Sequence, residues 1–188
     1  MILTIAIPTH DSLKAHTVSS LFRAIPTLDC RVRLDIHTGC YVHDARNKLV
    51  DKAIRSGCTH ILFIDSDMQF EEDAINKLIA HKKEIVGGLY YKRQLPKTPN
   101  FMIEQDGKLL IPDEIPESIT KVFMVGTGFM LIDLKVFEKI TPPWFFFGVV
   151  NNKMLGEDTF FCYQAKKAGI DVWLDPNIKL SHIGDYAY

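Results

Sequence analysis

Asp65-Ser66-Asp67 follows directly on the apolar run Ile61-Leu62-Phe63-Ile64. Two carboxylates spaced i, i+2 on a turn that leaves a strand can converge on one hard cation. Mg²⁺ or Mn²⁺ takes such oxygens while keeping waters and bridging phosphates. The plainer reading of Asp-x-Asp is a polar turn that caps the next helix. A second acidic pair, Glu157-Asp158, stands behind Gly156 where a helical pattern begins. Negative charge suits a helix N-terminus, and a carboxylate on a rigid helix start can also act as a general base. The third candidate is His182 in Leu180-Ser181-His182-Ile183-Gly184. A lone histidine is most often a surface or satisfied core residue. This one closes the last strand of a chain with a cation candidate elsewhere, which gives it a second reading as a ligand.

The elements that must hold these groups follow from hydrophobic spacing. Residues 2–7 are apolar apart from Thr4, and Pro8 is expected to stop that strand. Residues 31–37 alternate through Val32, Leu34 and Ile36, as a half-buried strand does. The unbroken run 61–64 suits a central parallel strand covered on both faces. Between the strands, Ala45, Leu49, Val50, Ala53 and Ile54 fall on one helical stripe, closed by Gly57. Ala74, Ile75, Leu78 and Ile79 form another behind Glu71-Glu72-Asp73, and residues 16–28 give a weaker helix. The order β-α-β-α-β-α predicts a doubly wound sheet with right-handed crossovers. Further on, 84–91 and 122–132 read as strands, and 94–118, with Pro96, Pro99, Pro112 and Pro116, as a long irregular excursion. Residues 158–168 read as a helix closed by Gly169, and 170–174 and 178–180 as short final strands. No internal repeat, low-complexity tract or domain boundary is visible.

Composition excludes several classes. The 188 residues are 47% hydrophobic and 24% charged, which is ordinary for a folded domain and excludes disorder, collagen and coiled coil. A net charge of −1 argues against a general nucleic-acid binder. No apolar run approaches the ~20 residues of a membrane span, and Met1-Ile-Leu-Thr-Ile-Ala-Ile reads as a strand and not a signal peptide. Cys30, Cys40, Cys58 and Cys162 have no paired CxxC spacing, so reduced thiols and a cytoplasmic location are expected. His10, His37, His43 and His60 show no metal-type helical spacing.

Taken in order, Pro8-Thr9, Ala45-Arg46-Asn47, Phe63-Ile-Asp-Ser-Asp67, Gly126-Thr127-Gly128, Gly156-Glu157-Asp158 and Ser181-His182 resemble the GT-A glycosyltransferases. The likeness is to compact bacterial and phage members of the large inverting, family-2-like group, and it covers nearly the whole chain. It implies a single α/β domain over 1–188 with the GT-A nucleotide-diphospho-sugar transferase fold, a mostly parallel doubly wound sheet with helices on both faces. Residues 1–93 would bind the nucleotide-sugar and 94–188 the acceptor. Pro8, Thr9 and Asp11 would line the nucleotide pocket, and Thr38 or Gly39 would approach the base. Arg46 and Asn47 would face the nucleotide; their plain reading is an exposed helix face. Asp65, Ser66 and Asp67 match the metal motif. Asp67 would be the direct ligand, Asp65 would reach ribose or a metal-bound water, and His182 would complete the metal site. Asp158 matches the catalytic base, with Glu157 beside it in the acceptor site.

Other features have two readings each. Gly126-Thr127-Gly128 lacks the third glycine of a dinucleotide fingerprint, leaving a close approach to the donor sugar or a strand bulge. In Trp144-Phe145-Phe146-Phe147, core packing suits at least two rings and Trp144 is the candidate to stack on an acceptor. Lys92, Arg93 and Lys97, preceded by Tyr90-Tyr91, are a solvated loop or a contact for phosphate or a polyanionic acceptor. The chain stops at Asp185-Tyr-Ala-Tyr188, near the minimum length for this fold, so the acceptor subsite is expected to be open or completed by another chain.

The expected activity is a metal-dependent transfer from a nucleoside-diphosphate sugar, UDP-sugar favoured, with Mn²⁺ or Mg²⁺ and with inversion. The acceptor, whether glycan, lipid-linked sugar, protein or modified DNA, stays open. One rival is a module that binds nucleotide or glycan without turnover, or serves a larger glycosylation assembly. Another is a sugar-nucleotide nucleotidyltransferase, disfavoured because Ile7-Pro-Thr-His-Asp-Ser-Leu-Lys14 lacks the glycines of that signature.

Overall fold

A computed structural model describes residues 1–150 and 152–184; Asn151 and the C-terminal residues 185–188 lie outside the described residues. Strand and helix alternate first: β1 (Ile2–Thr9), α1 (Ala15–Ala24) with a 3-10 turn over Ile25–Thr27, β2 (Arg31–Thr38), α2 (Val42–Arg55), β3 (His60–Ile64), β4 (Met68–Phe70), α3 (Ala74–Ala80) and β5 (Ile85–Gly88). Shorter pieces follow: β6 (Phe101–Gln105), β7 (Lys108–Leu110), β8 (Thr120–Val122), β9 (Met124–Val125), β10 (Phe129–Asp133), α4 (Val136–Lys139), β11 (Gly148–Val150), β12 (Lys153–Leu155), α5 (Glu157–Lys167), β13 (Val172–Asp175) and β14 (Leu180–His182).

The main sheet has the order β2-β1-β3-β10-β5-β13-β8. β10 runs antiparallel to β3 and β5, and β8 antiparallel to β13; the other neighbours are parallel. The sheet is thus mostly parallel, as expected. The central strand β3 does not sit between two parallel neighbours, since β10 enters beside it in the opposite sense. Side chains alternate across β3: Ile61 and Phe63 pack with α2 and α5, Leu62 and Ile64 with α1 and α3. Both faces are therefore covered, and Ile61–Ile64 are fully buried.

Four expectations need correction. Pro8 does not end β1, which continues to Thr9 beside β2. Thr9 O accepts from Gly39 N on the β2 side, so Pro8 faces the other side, where pairing with β3 has already ended at Ala6. No ladder donor is lost there. Ile54 is 44% exposed and lies off the buried α2 stripe. The excursion 94–118 holds the β6–β7 hairpin, with Gln105 opposite Lys108 and Asp106-Gly107 between them. Both turn residues have positive φ, 51° and 70°, as a type I′ turn requires, and Asp-Gly is its usual sequence. The run 122–132 likewise divides into β8, β9 and β10, because β9 turns away to pair with β6.

Candidate functional site

β1 and β3 run parallel and end at the same edge of the sheet, where ligands of open α/β folds sit. A cleft of about 250 Å³ opens there. Pro8 and Thr9 line it from β1, Gly39 and Cys40 from the end of β2, and Asp65, Ser66 and Asp67 from the turn after β3. His182 and Arg93 close the far side.

Arg46 sits beneath this edge on α2 and is only 3% exposed. Its Nη2 donates to Asp65 Oδ1 at 2.8 Å and its Nη1 to Glu157 Oε1 at 2.7 Å. One guanidinium therefore ties the turn after β3 to the start of α5. The plain reading of Arg46 as an exposed helix face is wrong: two carboxylates from distant segments pair the buried cation at both Nη atoms, while its Nε has no hydrogen-bond partner among the described residues. Burial pushes the Glu157 carboxyl above its ordinary value, against the pull of Arg46 and with the charge of Asp158 adding to the rise.

Asp67 forms the second knot. Ile183 N donates to Asp67 O, and β14 pairs with β4 so that His182 lies opposite Met68. That register brings His182 Nε2 to 3.1 Å from Asp67 Oδ1. Arg93 Nη1 stands 3.1 Å from Asp67 Oδ2. Burial alone would raise the Asp67 carboxyl, but the hydrogen bond to His182 and the charges of His182 and Arg93 outweigh it and hold the carboxyl below its ordinary value. The other ring nitrogen of His182 is buried without a hydrogen-bond partner among the described residues, and the ring meets Tyr90 edge-on at 5.5 Å.

The three expected metal ligands are not one set. Asp65 is ion-paired to Arg46, while Asp67 and His182 are in contact, and among the described residues no three His, Cys, Asp or Glu side chains form a metal group. The pair Asp67–His182 fits a divalent ion as one hard oxygen and one imidazole nitrogen, with water or phosphate oxygens filling the other positions that Mg²⁺ and Mn²⁺ prefer.

α5 opens with the acidic pair. Asp158 Oδ1 accepts from Thr159 N at 2.7 Å, and its Oδ2 has no hydrogen-bond partner among the described residues. Arg46 reaches Glu157 only at Oε1, so the ion pair does not by itself single out Asp158 as the member of the pair with an oxygen to offer.

The remaining candidates separate. Thr9 Oγ1 donates to Ser12 O, and Ser66 O accepts from Lys14 N and Thr17 Oγ1, which anchors the start of α1. Asp11 is exposed and lies outside the residues that line the cleft. Of Thr38 and Gly39, Gly39 lines the cleft. Asn47 holds the loop before β11: its Oδ1 accepts from Trp144 N and Phe145 N, and its Nδ2 donates to His43 O and Phe145 O. That places its amide against protein backbone and not toward a nucleotide. Trp144 packs edge-on against Phe137 at 5.3 Å and donates to Ile140 O, while Phe146 and Phe147 are the exposed rings of that segment.

Gly126 and Gly128 flank the buried Thr127 and admit Tyr90, a residue that sequence alone assigned no role. Gly128 N donates to Tyr90 Oη at 3.1 Å, and burial pushes that phenol far above its ordinary value. A Cβ at Gly128 would lie 2.6 Å from Tyr90 Oη and 2.9 Å from Asp65 Oδ2. Gly128→Ala should therefore cost about 1–3 kcal/mol, as overpacking does, and lower Tm by roughly 2–12 °C. A melt unchanged from wild type would show that Tyr90 moves aside freely.

No protein-family model matches the sequence, and no curated protein matches it. Solved structures do match the fold. The crystal structure of A197 from STIV aligns with a TM-score of 0.72 at 20% identity, over 98% of this chain and 87% of that one. S. aureus TarS 1-349, a GT-A-type glycosyltransferase structure, aligns with a TM-score of 0.58 at 13% identity, over 96% of this chain and 60% of that one. The chain thus shares with these structures a mixed α/β fold with a central, mostly parallel sheet flanked by helices. Among the described residues no helix is long and apolar enough to cross a membrane.

Proposed function

We propose that this chain is a glycosyltransferase that moves a sugar from a nucleoside diphosphate to an acceptor hydroxyl. The reading is carried by one observation: in a GT-A-type fold, Arg46 joins Asp65, at the end of β3, to Glu157, at the start of α5. That bridge brings the edge that would hold the nucleotide together with the helix that would bear the base.

Pro8, Thr9 and Gly39 would cover the nucleoside, and Asp65, steadied by Arg46, would meet the ribose. Asp67 and His182 would hold Mn²⁺ or Mg²⁺, which when bound offsets the charge of the leaving diphosphate. Asp158 would accept the proton of the acceptor hydroxyl on Oδ2 while Thr159 N holds Oδ1. Attack from the face opposite the leaving group inverts the anomeric carbon. UDP is the favoured base from the family resemblance.

Thermal unfolding with UDP, GDP, CDP and ADP, each with Mn²⁺ or with EDTA, tests the donor half. A nucleotide at 100 times its dissociation constant adds roughly 2.7 kcal/mol, which is roughly 5–10 °C at this length. The expected result is a shift for one nucleotide that needs Mn²⁺ and disappears in Asp67→Ala. No shift with any nucleotide overturns the donor site and favours a binding module.

A further inference from the structure

Beside the cleft, and sharing Arg93 and His182 with it, runs a groove of about 840 Å³. Its lining includes three cations, Lys92, Arg93 and Lys97, and no carboxylate among the described residues. The chain as a whole has a net charge of −1, so this is a local concentration of positive charge. Lysines elsewhere are commonly neutralised: Lys48, Lys52, Lys77, Lys121 and Lys139 each meet a carboxylate within 2.8 Å. Lys92 and Lys97 meet none among the described residues.

The arm that presents them is braced. Tyr91 bridges to Pro99, Lys92 N donates to Thr98 O at 2.8 Å, and Gln94 Nε2 donates to Thr98 Oγ1 at 2.8 Å. Its root is Asn100, 2% exposed, which accepts from Tyr90 N and donates to Gly88 O. Arg93 is positioned at both ends. Its guanidinium lies on Asp67, and its stem passes over Gly184, where a Cβ would come within 3.3 Å of Cδ. Two lysines that meet no carboxylate among the described residues, on a braced loop beside Arg93, form a site for an anion.

We infer that this groove binds a phosphate-bearing glycan as acceptor, with Lys92 and Lys97 pairing with its phosphates and Arg93 marking the boundary with the donor. The word acceptor rests on the transferase reading; the anion site does not. The donor's own diphosphate belongs at Asp67 and His182, in a cleft less than a third of the groove's volume. A nucleic-acid duplex is disfavoured, because three cations fall short of the roughly 6–10 phosphate contacts such binding uses. A single strand is disfavoured because, among the described residues, Tyr91 and His182 are the rings lining the groove, and they offer no run of stacking platforms.

The test is titration calorimetry of the full chain with a phosphomannan oligosaccharide, a neutral mannan of equal length, an oligothymidylate of equal charge, and UDP with Mn²⁺. The variant is Lys92→Gln/Lys97→Gln, whose side chains are exposed and make no ion pair. Wild type should bind phosphomannan and ignore neutral mannan. The double variant should bind phosphomannan weaker by about 5- to 10-fold for each lysine, with a salt dependence shallower by about two. Its UDP affinity should stay within about twofold. Equal binding of neutral mannan overturns the proposal, as does tighter binding of oligothymidylate. A parallel loss of UDP would assign the groove to the donor. Phosphomannan binding without any nucleotide binding keeps the anion site and removes the transferase reading.

Discussion

Arg46→Met should destabilise the protein by about 3–5 kcal/mol, the usual result of stripping one partner from a buried ion pair. The guanidinium is 3% exposed and makes charged hydrogen bonds of 2.7 and 2.8 Å to Glu157 and Asp65. Methionine fills much of the space but leaves two carboxylates facing each other. Tm should fall by roughly 6–20 °C. The pH dependence identifies the cause. Burial already holds Glu157 above its ordinary value against the attraction of Arg46; without Arg46 it rises further. A carboxyl whose folded pKa exceeds its unfolded one contributes stability below the unfolded value, and loses it as pH rises through the folded value. The deficit of the variant should therefore narrow as pH falls from 7 toward 5. Asp67, held low in the fold, acts in the opposite sense, with stability lost as pH falls through its lowered folded value, below the ordinary carboxylate range. It does not enter the comparison at pH 5 and above. Parallel melts of both proteins between pH 5 and 8 measure the gap. A gap of constant size would assign the loss to packing and not to charge.

The parts of the fold that sequence reveals are those with a single dominant physical signal. The run Ile61–Ile64 has no polar face to offer water, and it is buried on both sides. The α2 stripe repeats at helical spacing, and Gly57 and Gly169 close their helices with positive φ. Reading fails where two signals compete. In residues 94–118 the prolines outweigh Asp106-Gly107, although the dipeptide sets the hairpin and the prolines flank it. The acidic residues lie where the spacing puts them, Asp65 and Asp67 just after β3 and Glu157 and Asp158 at the start of α5. Their partners are not legible. Nothing local to Arg46 says that its neighbours are 19 and 111 residues away. Asn47 and Arg46 are adjacent and look alike on a helical wheel, yet one braces the loop at Trp144 and the other is buried in an ion-pair bridge. Tyr90 was not legible: Gly126-Thr127-Gly128 suggested a donor-sugar approach or a strand bulge, whereas the two glycines make room for the Tyr90 ring pressed against their backbone.

Asp158→Asn should lower turnover by about 10²- to 10⁴-fold, the usual contribution of a placed general base, while leaving nucleotide binding intact. The substitution is nearly isosteric. An amide oxygen can still accept from Thr159 N, which in the native protein reaches Asp158 Oδ1 at 2.7 Å, so α5 keeps its first turn. What disappears is a second oxygen able to take a proton. Glu157→Gln would be a poor substitute for this test, because it weakens the contact with Arg46 and mixes stability with chemistry. Steady-state transfer to an acceptor, measured beside the nucleotide-induced Tm shift, separates the two halves of the site. A low kcat with a full nucleotide shift locates the proton acceptor at Asp158. Turnover within a few-fold of wild type would move the base elsewhere and reduce the acidic start of α5 to its helix-dipole role. Loss of both transfer and shift would mean that Asp158 acts through the structure around it, since its charge bears on Glu157 and Tyr90.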